Sequence, residues 1–307
     1  MTETYEVIVV GGGAAGLSAA LVLGRARRRT LLVDAGEPRN APAAHMQGFL
    51  TRDGMPPAEF LAIGREEVKG YGVELVRDRV TEVAPGFAVT LAGGRAVRAR
   101  RLVLATGLAD ELPDVPGVAE RFGRDVLHCP YCHGWEVRER AFGVLATSPL
   151  SVHQALMVSQ WSKNVTLFLH TVDESELSDD DLRRLATAGV RVVPGEVAGL
   201  VVSDDRLTAV RLADGTAHAR EVVFTGPRAV PRNGLLERLG AEFQETPFGS
   251  YPVVDGNWRT TVPGVYAVGN AAGFGEQVIN AASAGYRAAA TINGELLMSD
   301  LDAAAGV

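Results

Sequence analysis

The sequence predicts an α/β protein with two Rossmann-like domains, each a three-layer arrangement of a sheet between helices. Its 307 residues are enough for about two domains that each bury a core. An apolar, β-branched strand over residues 5–10 runs directly into a glycine-rich turn and a helix. The same order of strand, turn and helix returns from Ala141 onward. This alternation is typical of nucleotide-binding α/β folds.

Composition and charge exclude several classes of protein. Hydrophobic residues make up 47% of the chain, yet no apolar run approaches the roughly 20 residues of a membrane-spanning helix, so we expect no membrane association. The start has no basic leader and no cleavage site, and we therefore expect a cytoplasmic protein. A net charge of −7, from 30 basic and 37 acidic residues, argues against a nucleic-acid partner.

The first nucleotide motif is Gly11-x-Gly13-x-x-Gly16, between a predicted strand and a predicted helix. The glycines make the turn, let backbone amides approach a pyrophosphate, and pack the helix on the strand. The next predicted strand, Thr30–Asp34, ends in an acid that can accept hydrogen bonds from ribose hydroxyls. A carboxylate there repels a 2′-phosphate, so FAD or NAD(H) is predicted at this site and NADPH is not.

Two distant segments favour FAD. One is a buried strand that ends in Ala105-Thr106-Gly107, and the other is a strand over 265–268 followed by Gly269-Asn270. A long helix begins at Gln277 and runs towards Leu297. The amides at its start, around Gln277 and Val278, would stabilise the negative charge that a flavin gains on reduction.

The stretch HCPYCHGWE, residues 128–136, contains the only two cysteines, Cys129 and Cys132. Haem c attachment shares the C-x-x-C-H pattern but requires export, which the expected cytoplasmic location excludes. A disulfide across so small a loop would stabilise the fold by only about 2 kcal/mol. No second ligand pair is spaced to complete a zinc site, so no metal is predicted. Thiol–disulfide exchange is the predicted role.

The overall layout resembles the low-molecular-weight thioredoxin reductase family of flavoproteins over essentially the whole chain. The resemblance rests on GGGAAG, the ATG strand end, the central C-x-x-C, PGVYAVG and the helix that begins with Gln. It implies an FAD domain split into 1–116 and 247–307, an inserted NADPH-domain-like domain over 117–246, and a homodimer. The FAD-binding residues that it implies are Gly11, Gly13, Ala15, Gly16, Asp34, Asn40, Ala105, Thr106, Gly107, Gly269, Asn270, Gln277 and Val278. Asn270 stands where the family usually has Asp, and its amide oxygen can still accept a bond from a ribityl hydroxyl.

The inserted domain of this family usually repeats the glycine motif, but this chain does not. Ala146, Ser148 and Ser151 stand opposite the three glycines, with Pro149 inside the turn. A Cβ at these positions occupies the space where a pyrophosphate must meet bare backbone. Six acidic residues between Asp173 and Asp181 replace the arginine-rich stretch of an NADPH site. We predict a nucleotide-type fold that has lost its NADPH site; the alternative is unusual binding through the Ser148 and Ser151 hydroxyls.

The resemblance also implies roles for the central loop, with Cys132 against the flavin and Cys129 towards the substrate. The pattern CHGWE over 132–136 is similar to the dithiol oxidases that close disulfides in metabolites such as gliotoxin and holomycin. His133 replaces an Asp of the reductases and can take and return a proton at working pH. A small-molecule dithiol would reduce the Cys129–Cys132 disulfide, Cys132 would pass two electrons to FAD, and O2 would reoxidise it to give hydrogen peroxide.

Two alternatives remain open at this point. One is a disulfide reductase supplied with electrons by NAD(P)H or ferredoxin, and the other is a flavin redox sensor without turnover. His45 is a candidate for lining the substrate pocket, whereas Trp135 and Trp161 are predicted to pack in the protein interior.

Overall fold

The computed structural model describes residues 3–306 and divides the chain into two compact units. Unit 1 comprises the chain through Ala41, then Met55–Ala109, then the chain from Ala229 onward. Unit 2 comprises Pro42–Gly54 and Asp110–Arg228. A split first unit with a second inserted between its parts is the organisation that the resemblance implies.

The boundaries differ from the predicted 116/117 and 246/247. The Pro- and Gly-bearing segment 113–118 is part of unit 2, because Val115 and Val118 are buried against its strands. The second such segment contains the turn of a hairpin in unit 1, between Phe243–Thr246 and Gly249–Pro252. Proline and glycine therefore mark turns inside each unit. Nothing in the sequence indicated that Pro42–Gly54 belongs with unit 2.

The chain from Glu3 to Glu111 contains seven strands and two helices. They are β1 (Glu3–Val10), α1 (Ala14–Arg25), β2 (Thr30–Asp34), α2 (Pro57–Gly70), β3 (Glu74–Arg77), β4 (Val80–Ala84), β5 (Ala88–Leu91), β6 (Ala96–Leu104) and β7 (Leu108–Glu111).

The middle of the chain builds unit 2 and returns through β16. Its elements are α3 (Val118–Arg121), β8 (Val126–Leu127), α4 (Pro130–His133), β9 (Phe142–Leu145), α5 (Ser151–Val158), β10 (Val165–Phe168), α6 (Asp179–Thr187), β11 (Arg191–Val193), β12 (Val197–Ser203), β13 (Arg206–Leu212), β14 (Ala217–Ala219), β15 (Val222–Thr225) and β16 (Arg228–Pro231). A short 3₁₀ turn, Glu174–Glu176, precedes α6.

The last stretch completes unit 1. Its elements are α7 (Gly234–Arg238), β17 (Phe243–Thr246), β18 (Gly249–Pro252), β19 (Val265–Ala267) and α8 (Val278–Ala305), with a 3₁₀ turn at Gly269–Ala271. Helix α8 begins after Gln277, as predicted, but continues well beyond Leu297.

The main sheet of unit 1 has the order β3-β2-β1-β6-β5-β4, and β19 also pairs with β6. One edge of β6 pairs with β1. The other edge pairs with β5 at the start of the strand and with β19 at its end. Strands β1, β2, β6 and β19 are mutually parallel, and their carboxyl ends therefore lie along the same edge of the sheet. Ligands of open α/β sheets bind at this edge.

Unit 2 contains a five-stranded parallel sheet with the order β11-β10-β9-β15-β8, flanked by the antiparallel meander β12-β13-β14. The core strands are fully buried: Phe142, Leu167 and Phe224 have no exposed surface. Both units thus confirm the predicted α/β class. Within residues 3–306, every helix is too short or too polar to cross a membrane.

Candidate functional site

The glycine turn of unit 1 closes tightly on the neighbouring strand. Gly11 has a positive φ of 108°, and a Cβ there would lie 2.8 Å from the carbonyl carbon of Ala105. A Cβ at Gly16 would lie 3.0 Å from the carbonyl carbon of Gly11 and still closer to its oxygen. These two glycines are required by close backbone approach, as the sequence predicts.

Gly13 differs from the other two glycines of the motif. It is the N-cap residue of α1, and a Cβ there would meet no protein atom within 4 Å. The backbone at the start of α1 therefore faces open space. The first amides of a helix have no partner within the helix and carry partial positive charge, so this face suits an anionic pyrophosphate.

Asp34 lies at the end of β2, beside the turn. It is 6% exposed, and a Cβ at Gly12 would lie 2.5 Å from its carboxyl carbon. Its Oδ1 accepts from the amide of Gly36 at 2.9 Å, and its Oδ2 accepts from Arg65 at 3.1 Å. Arg77 stands 3.7 Å from Oδ2. Neither arginine could be predicted from the sequence, because the two come from different elements, α2 and β3.

The Ala105-Thr106-Gly107 segment follows β6 at the same edge. The Ala105 amide donates to Val10 at 2.8 Å, which holds the segment against the end of β1. Thr106 donates from its hydroxyl to the carbonyl of Arg232 at 3.3 Å, and Gly107 has a positive φ of 67°. These three residues are half-buried and leave the edge of the sheet open above the glycine turn.

The C-terminal segment reaches α1 from the other side. A Cβ at Gly269 would lie 3.0 Å from the Cβ of Ala15, and α8 packs so closely on α1 that a Cβ at Gly285 would lie 2.8 Å from the Ala15 carbonyl carbon. The carbonyl of Gln277 accepts the first helical bond of α8, from Ala281. The amides around Val278 thus start a helix 28 residues long.

Asn270 uses its amide differently from the sequence-based expectation. Its Nδ2 donates to the carbonyls of Gly273 and Phe274, at 3.0 and 2.8 Å, and its Oδ1 accepts from Arg39 at 3.5 Å. An Asp could not donate either of the first two bonds. The Asn is therefore explained by the loop that leads into α8. Asn40, also predicted to bind cofactor, is half-buried in the turn after β2.

These features fit a bound FAD. The backbone at Gly13 would hold the pyrophosphate, and Asp34 would hold the ribose hydroxyls. The start of α8 would lie at the flavin end of the cofactor. Bound FAD would supply two-electron redox chemistry to the dithiol in this protein.

The dithiol loop lies in unit 2, directly after β8. Cys129 precedes the single-turn helix α4, and the Cys132 amide donates to the Cys129 carbonyl at 3.2 Å. Both cysteines are half-buried, so they are accessible and still held by the fold. Gln154 on α5 donates from Nε2 to the carbonyl of His128 at 2.7 Å. The sequence did not indicate Gln154.

Trp161 packs against the dithiol loop. A Cβ at Gly134 would lie 2.8 Å from the Trp161 ring and 2.6 Å from the Pro130 carbonyl oxygen. The Tyr131 ring meets Trp161 edge-on, with centroids 5.9 Å apart. Trp161 is partly buried against the core of unit 2, in agreement with the predicted packing role.

Trp135 does not have the predicted packing role. It is 65% exposed, and Tyr131, between the two cysteines, is 71% exposed. The Arg138 guanidinium lies 4.0 Å from the centroid of the Trp135 ring and donates to its carbonyl at 2.7 Å. The surface beside the cysteines is therefore aromatic and open.

His133 is held in a low-polarity environment. Burial lowers its pKa below 6.5, while the Cys129 backbone and the Glu136 carboxylate oppose the shift. Its Nδ1 is buried and has no hydrogen-bond partner within residues 3–306. The imidazole is therefore neutral at pH 7 and can accept a proton.

The turn of unit 2 that matches the glycine motif is closed by its own residues. Ser151 is buried, and its Oγ accepts from the amide of Thr147 at 3.1 Å. The amides of Ser151 and Val152, at the start of α5, donate to the carbonyls of Ser148 and Pro149. In unit 1 a Cβ at Gly13 would meet open space, whereas here the amides of Thr147, Ser151 and Val152 are bonded inside the turn.

The acidic stretch after β10 has structural roles. Asp173 and Glu176 form a capping box around the 3₁₀ turn, and Ser178 caps α6, whose first turn contains Asp179, Asp180 and Asp181. Acids at a helix start are stabilised by the helix dipole. His45 is exposed in the Pro42–Gly54 segment of unit 2, and its predicted place in a substrate pocket stays a prediction.

An open dinucleotide cradle in one unit and a C-x-x-C loop in the other define a flavin-dependent disulfide oxidoreductase. The family model described as pyridine nucleotide-disulphide oxidoreductase matches residues 5–285, and the chain belongs to this family. FAD is its cofactor, as predicted.

Three similar proteins span almost the whole chain. Thioredoxin reductase sirT of Leptosphaeria maculans is 31% identical over 319 residues, covering 97% of this chain and 96% of sirT. HlmI, of which a crystal structure is known, has 50% sequence identity to this chain and a TM-score of 0.94, and the match covers 99% of this chain and 97% of HlmI. The oxidoreductase from Agrobacterium tumefaciens is 40% identical with a TM-score of 0.90, covering 97% and 99% respectively. These similarities confirm the predicted resemblance to thioredoxin-reductase-like flavoproteins.

Proposed function

We propose that this protein is an FAD-dependent dithiol oxidase, which closes a disulfide in a small-molecule dithiol and uses O2 as the electron acceptor. The observation that carries the proposal is the closed turn of unit 2, in which Ser151 Oγ takes the Thr147 amide. The reductase alternative that uses NAD(P)H needs a nicotinamide nucleotide bound at this turn. The closed turn and the side chains that replace the three glycines argue against such binding, so we propose that electrons enter through the cysteines.

The thiol chemistry balances as two exchange steps. A substrate thiolate attacks Sγ of Cys129, the Cys129–Cys132 bond breaks, and Cys132 leaves as a thiolate. The second substrate thiolate then attacks the substrate sulfur of the mixed disulfide, and Cys129 leaves. The substrate has lost two electrons and two protons, and the protein dithiol has gained the electrons.

His133 is proposed as the proton acceptor for this exchange. Only a thiolate attacks a disulfide, and a free thiol is mostly protonated at pH 7. A neutral imidazole next to Cys132 in the chain can remove a thiol proton and return it later. Burial, which lowers the pKa of His133, supports this role because it favours the neutral, proton-accepting form of the ring.

The first test uses anaerobic half-reactions of the FAD-loaded protein. Dithiothreitol is expected to bleach the visible flavin band, and admission of air is expected to restore it with one hydrogen peroxide per flavin. NADPH and NADH, added separately, are expected to leave the band unchanged. Prompt bleaching by either nucleotide would overturn the proposal and favour a disulfide reductase.

Cysteine variants separate the thiol route from direct flavin reduction. Cys129→Ser and Cys132→Ser are each expected to lose bleaching by dithiothreitol, while dithionite still reduces their flavin. Catalytic O2 consumption with a dithiol excludes a sensor without turnover. A wild-type protein that bleaches once and does not turn over would instead support the sensor.

The assembly and location are further proposals. We propose a cytoplasmic homodimer, and exposed apolar side chains along α8, including Ile279, Tyr286 and Leu297, support a covered helix face. Size-exclusion chromatography with light scattering tests this: a mass twice the chain's 32.4 kDa is expected, and a monomer at micromolar concentration would contradict it.

A further inference from the structure

Gln154 is a polar residue on α5 that the proposed chemistry does not use. Its Nε2 donates to the His128 carbonyl at 2.7 Å. Its Oε1 is buried and has no hydrogen-bond partner within residues 3–306. A buried amide oxygen without a partner is destabilising, so the presence of a glutamine at this position calls for an explanation.

The hydrogen bond acts on the peptide group that precedes the first cysteine. Because a peptide group is planar, holding the His128 carbonyl also fixes the direction of the Cys129 amide. Cys129 then enters α4 with φ −90° and ψ 117°, and the Cys132 amide donates back to it. Gln154 thereby limits the rotation of the loop at the residue where the disulfide ring closes.

Ring closure depends on this restraint, since a disulfide accepts only a narrow range of Cβ separations and dihedral angles. Trp161, which follows α5 in the chain, limits the same loop through its contact with Gly134. Helix α5 and the residues that follow it therefore contact the dithiol loop at two points, Gln154 and Trp161.

We propose that Gln154 is a positioning residue that sets the disulfide–dithiol equilibrium of Cys129 and Cys132. Cys129 and Cys132 are not joined in this structure, so the loop conformation that the hydrogen bond holds is that of the dithiol. Loss of the bond frees the loop to reach the geometry of the closed ring and favours the disulfide, so the pair becomes more reducing. The inference rests on the proposed function only in treating these cysteines as the reacting pair.

The test measures this equilibrium in the anaerobic FAD-loaded protein. Samples are equilibrated in glutathione buffers of known potential, alkylated, and scored for free thiols by mass spectrometry. Gln154→Met has a similar length but no donor, and we expect its equilibrium constant to move about tenfold towards the disulfide, the scale of one hydrogen bond. That change corresponds to roughly 30 mV for a two-electron couple. His153→Met, an exposed neighbour on the same helix, is the matched control and is expected to stay within about twofold.

Gln154→Glu supplies a readout that a merely structural role would not move. A protonated carboxyl can donate to the His128 carbonyl, whereas a carboxylate cannot donate and repels it. Relative to wild type at each pH, we expect this variant to behave normally near pH 5 and to shift at least tenfold towards the disulfide near pH 8. Gln154→Met should show the same shift at both pH values.

Two outcomes overturn the inference: a Gln154→Met equilibrium within twofold of wild type, or a Gln154→Glu shift that does not change with pH. Neither depends on oxygen, because the titration involves no turnover. A protein that fails to consume O2 would therefore refute the proposed oxidase and leave the role of Gln154 to be decided by these titrations.

Discussion

Alanine substitutions at two glycines of the same turn, Gly13 and Gly16, are expected to change different properties of the protein. Gly16→Ala should lower the stability of the fold, and Gly13→Ala should weaken FAD binding. At Gly16 the new methyl group lies 3.0 Å from the carbonyl carbon of Gly11 and nearer still to its oxygen. Both groups are backbone, so relief requires α1 to move away from β1. Overpacking of this kind typically costs about 1–3 kcal/mol, and we expect the upper end or more because no side chain can rotate away.

At Gly13 the new methyl group meets no protein atom within 4 Å. The substitution changes only the N-cap of α1, where alanine in place of glycine costs about 1 kcal/mol or less. The methyl group does occupy the cradle proposed for the pyrophosphate. Losing one hydrogen bond to a charged group costs roughly 1.5–3 kcal/mol, so FAD affinity should fall about 10- to 100-fold.

The assay separates folding from cofactor binding. Urea unfolding of the apoprotein reports the first, and FAD titration followed by flavin fluorescence reports the second. Gly13→Ala should keep the wild-type unfolding midpoint to within the cap effect and bind FAD weakly, whereas Gly16→Ala should unfold at clearly lower urea. If Gly13→Ala binds FAD as tightly as wild type, the bare backbone at the start of α1 does not face the pyrophosphate and the assignment is wrong.

Three further substitutions test the remaining contacts. Gly134→Ala should destabilise the protein by about 1–3 kcal/mol and slow dithiol reduction of the flavin, because the new methyl group would lie 2.6 Å from the Pro130 carbonyl oxygen and 2.8 Å from the Trp161 ring; unchanged thermal unfolding and rapid-mixing rates would argue against these contacts. Burial depresses the pKa of His133 in the folded state, so the unfolded state binds the proton first and stability should fall as pH drops below 6.5. His133→Asn should make this slope shallower in denaturation curves between pH 7 and pH 5, and the remainder includes His170, whose pKa burial also lowers; an unchanged slope would contradict the role of His133. Asn270→Asp loses two donated hydrogen bonds and should lower the free energy of unfolding by about 1–3 kcal/mol at pH 7. The stability should recover in part as the acid becomes protonated at low pH. Equal unfolding midpoints for the Asn and Asp proteins would contradict this role.

The fold and the cofactor turn could be predicted because their signals are local. A strand, three spaced glycines and an acid two elements later lie within residues 5–34, and the structure brings Gly11, Gly16 and Ala105 into direct contact. The limits of β2 coincide with the predicted Thr30–Asp34. Periodicity and glycine spacing are enough here because Gly11 and Gly16 are needed by close backbone approach.

Residues that act across elements could not be predicted in the same way. Arg65 and Arg77 reach Asp34 from α2 and β3, and Gln154 reaches the dithiol loop from α5. Arginines and glutamines are common on solvated helix faces, so their spacing along the chain carries no sign of such a partner. The exposure of Trp135 was not predicted for a related reason. From the sequence alone, an aromatic residue is normally assigned to the core.

The two turns of the molecule show what a missing glycine motif does beyond removing a ligand. In unit 1 the absence of side chains leaves backbone at Gly13 facing open space, and that backbone is stable only because water or an anion can satisfy it. In unit 2 the Ser151 hydroxyl satisfies the Thr147 amide internally, which removes the need for any anion. The helix that follows no longer has to present its start to a phosphate. Gln154 on this helix and Trp161 after its end instead contact the dithiol loop. The closed turn and the support of the cysteine loop therefore lie at two ends of one segment, and a variant that restored glycines to the turn would have to keep Gln154 and Trp161 in place to preserve the loop.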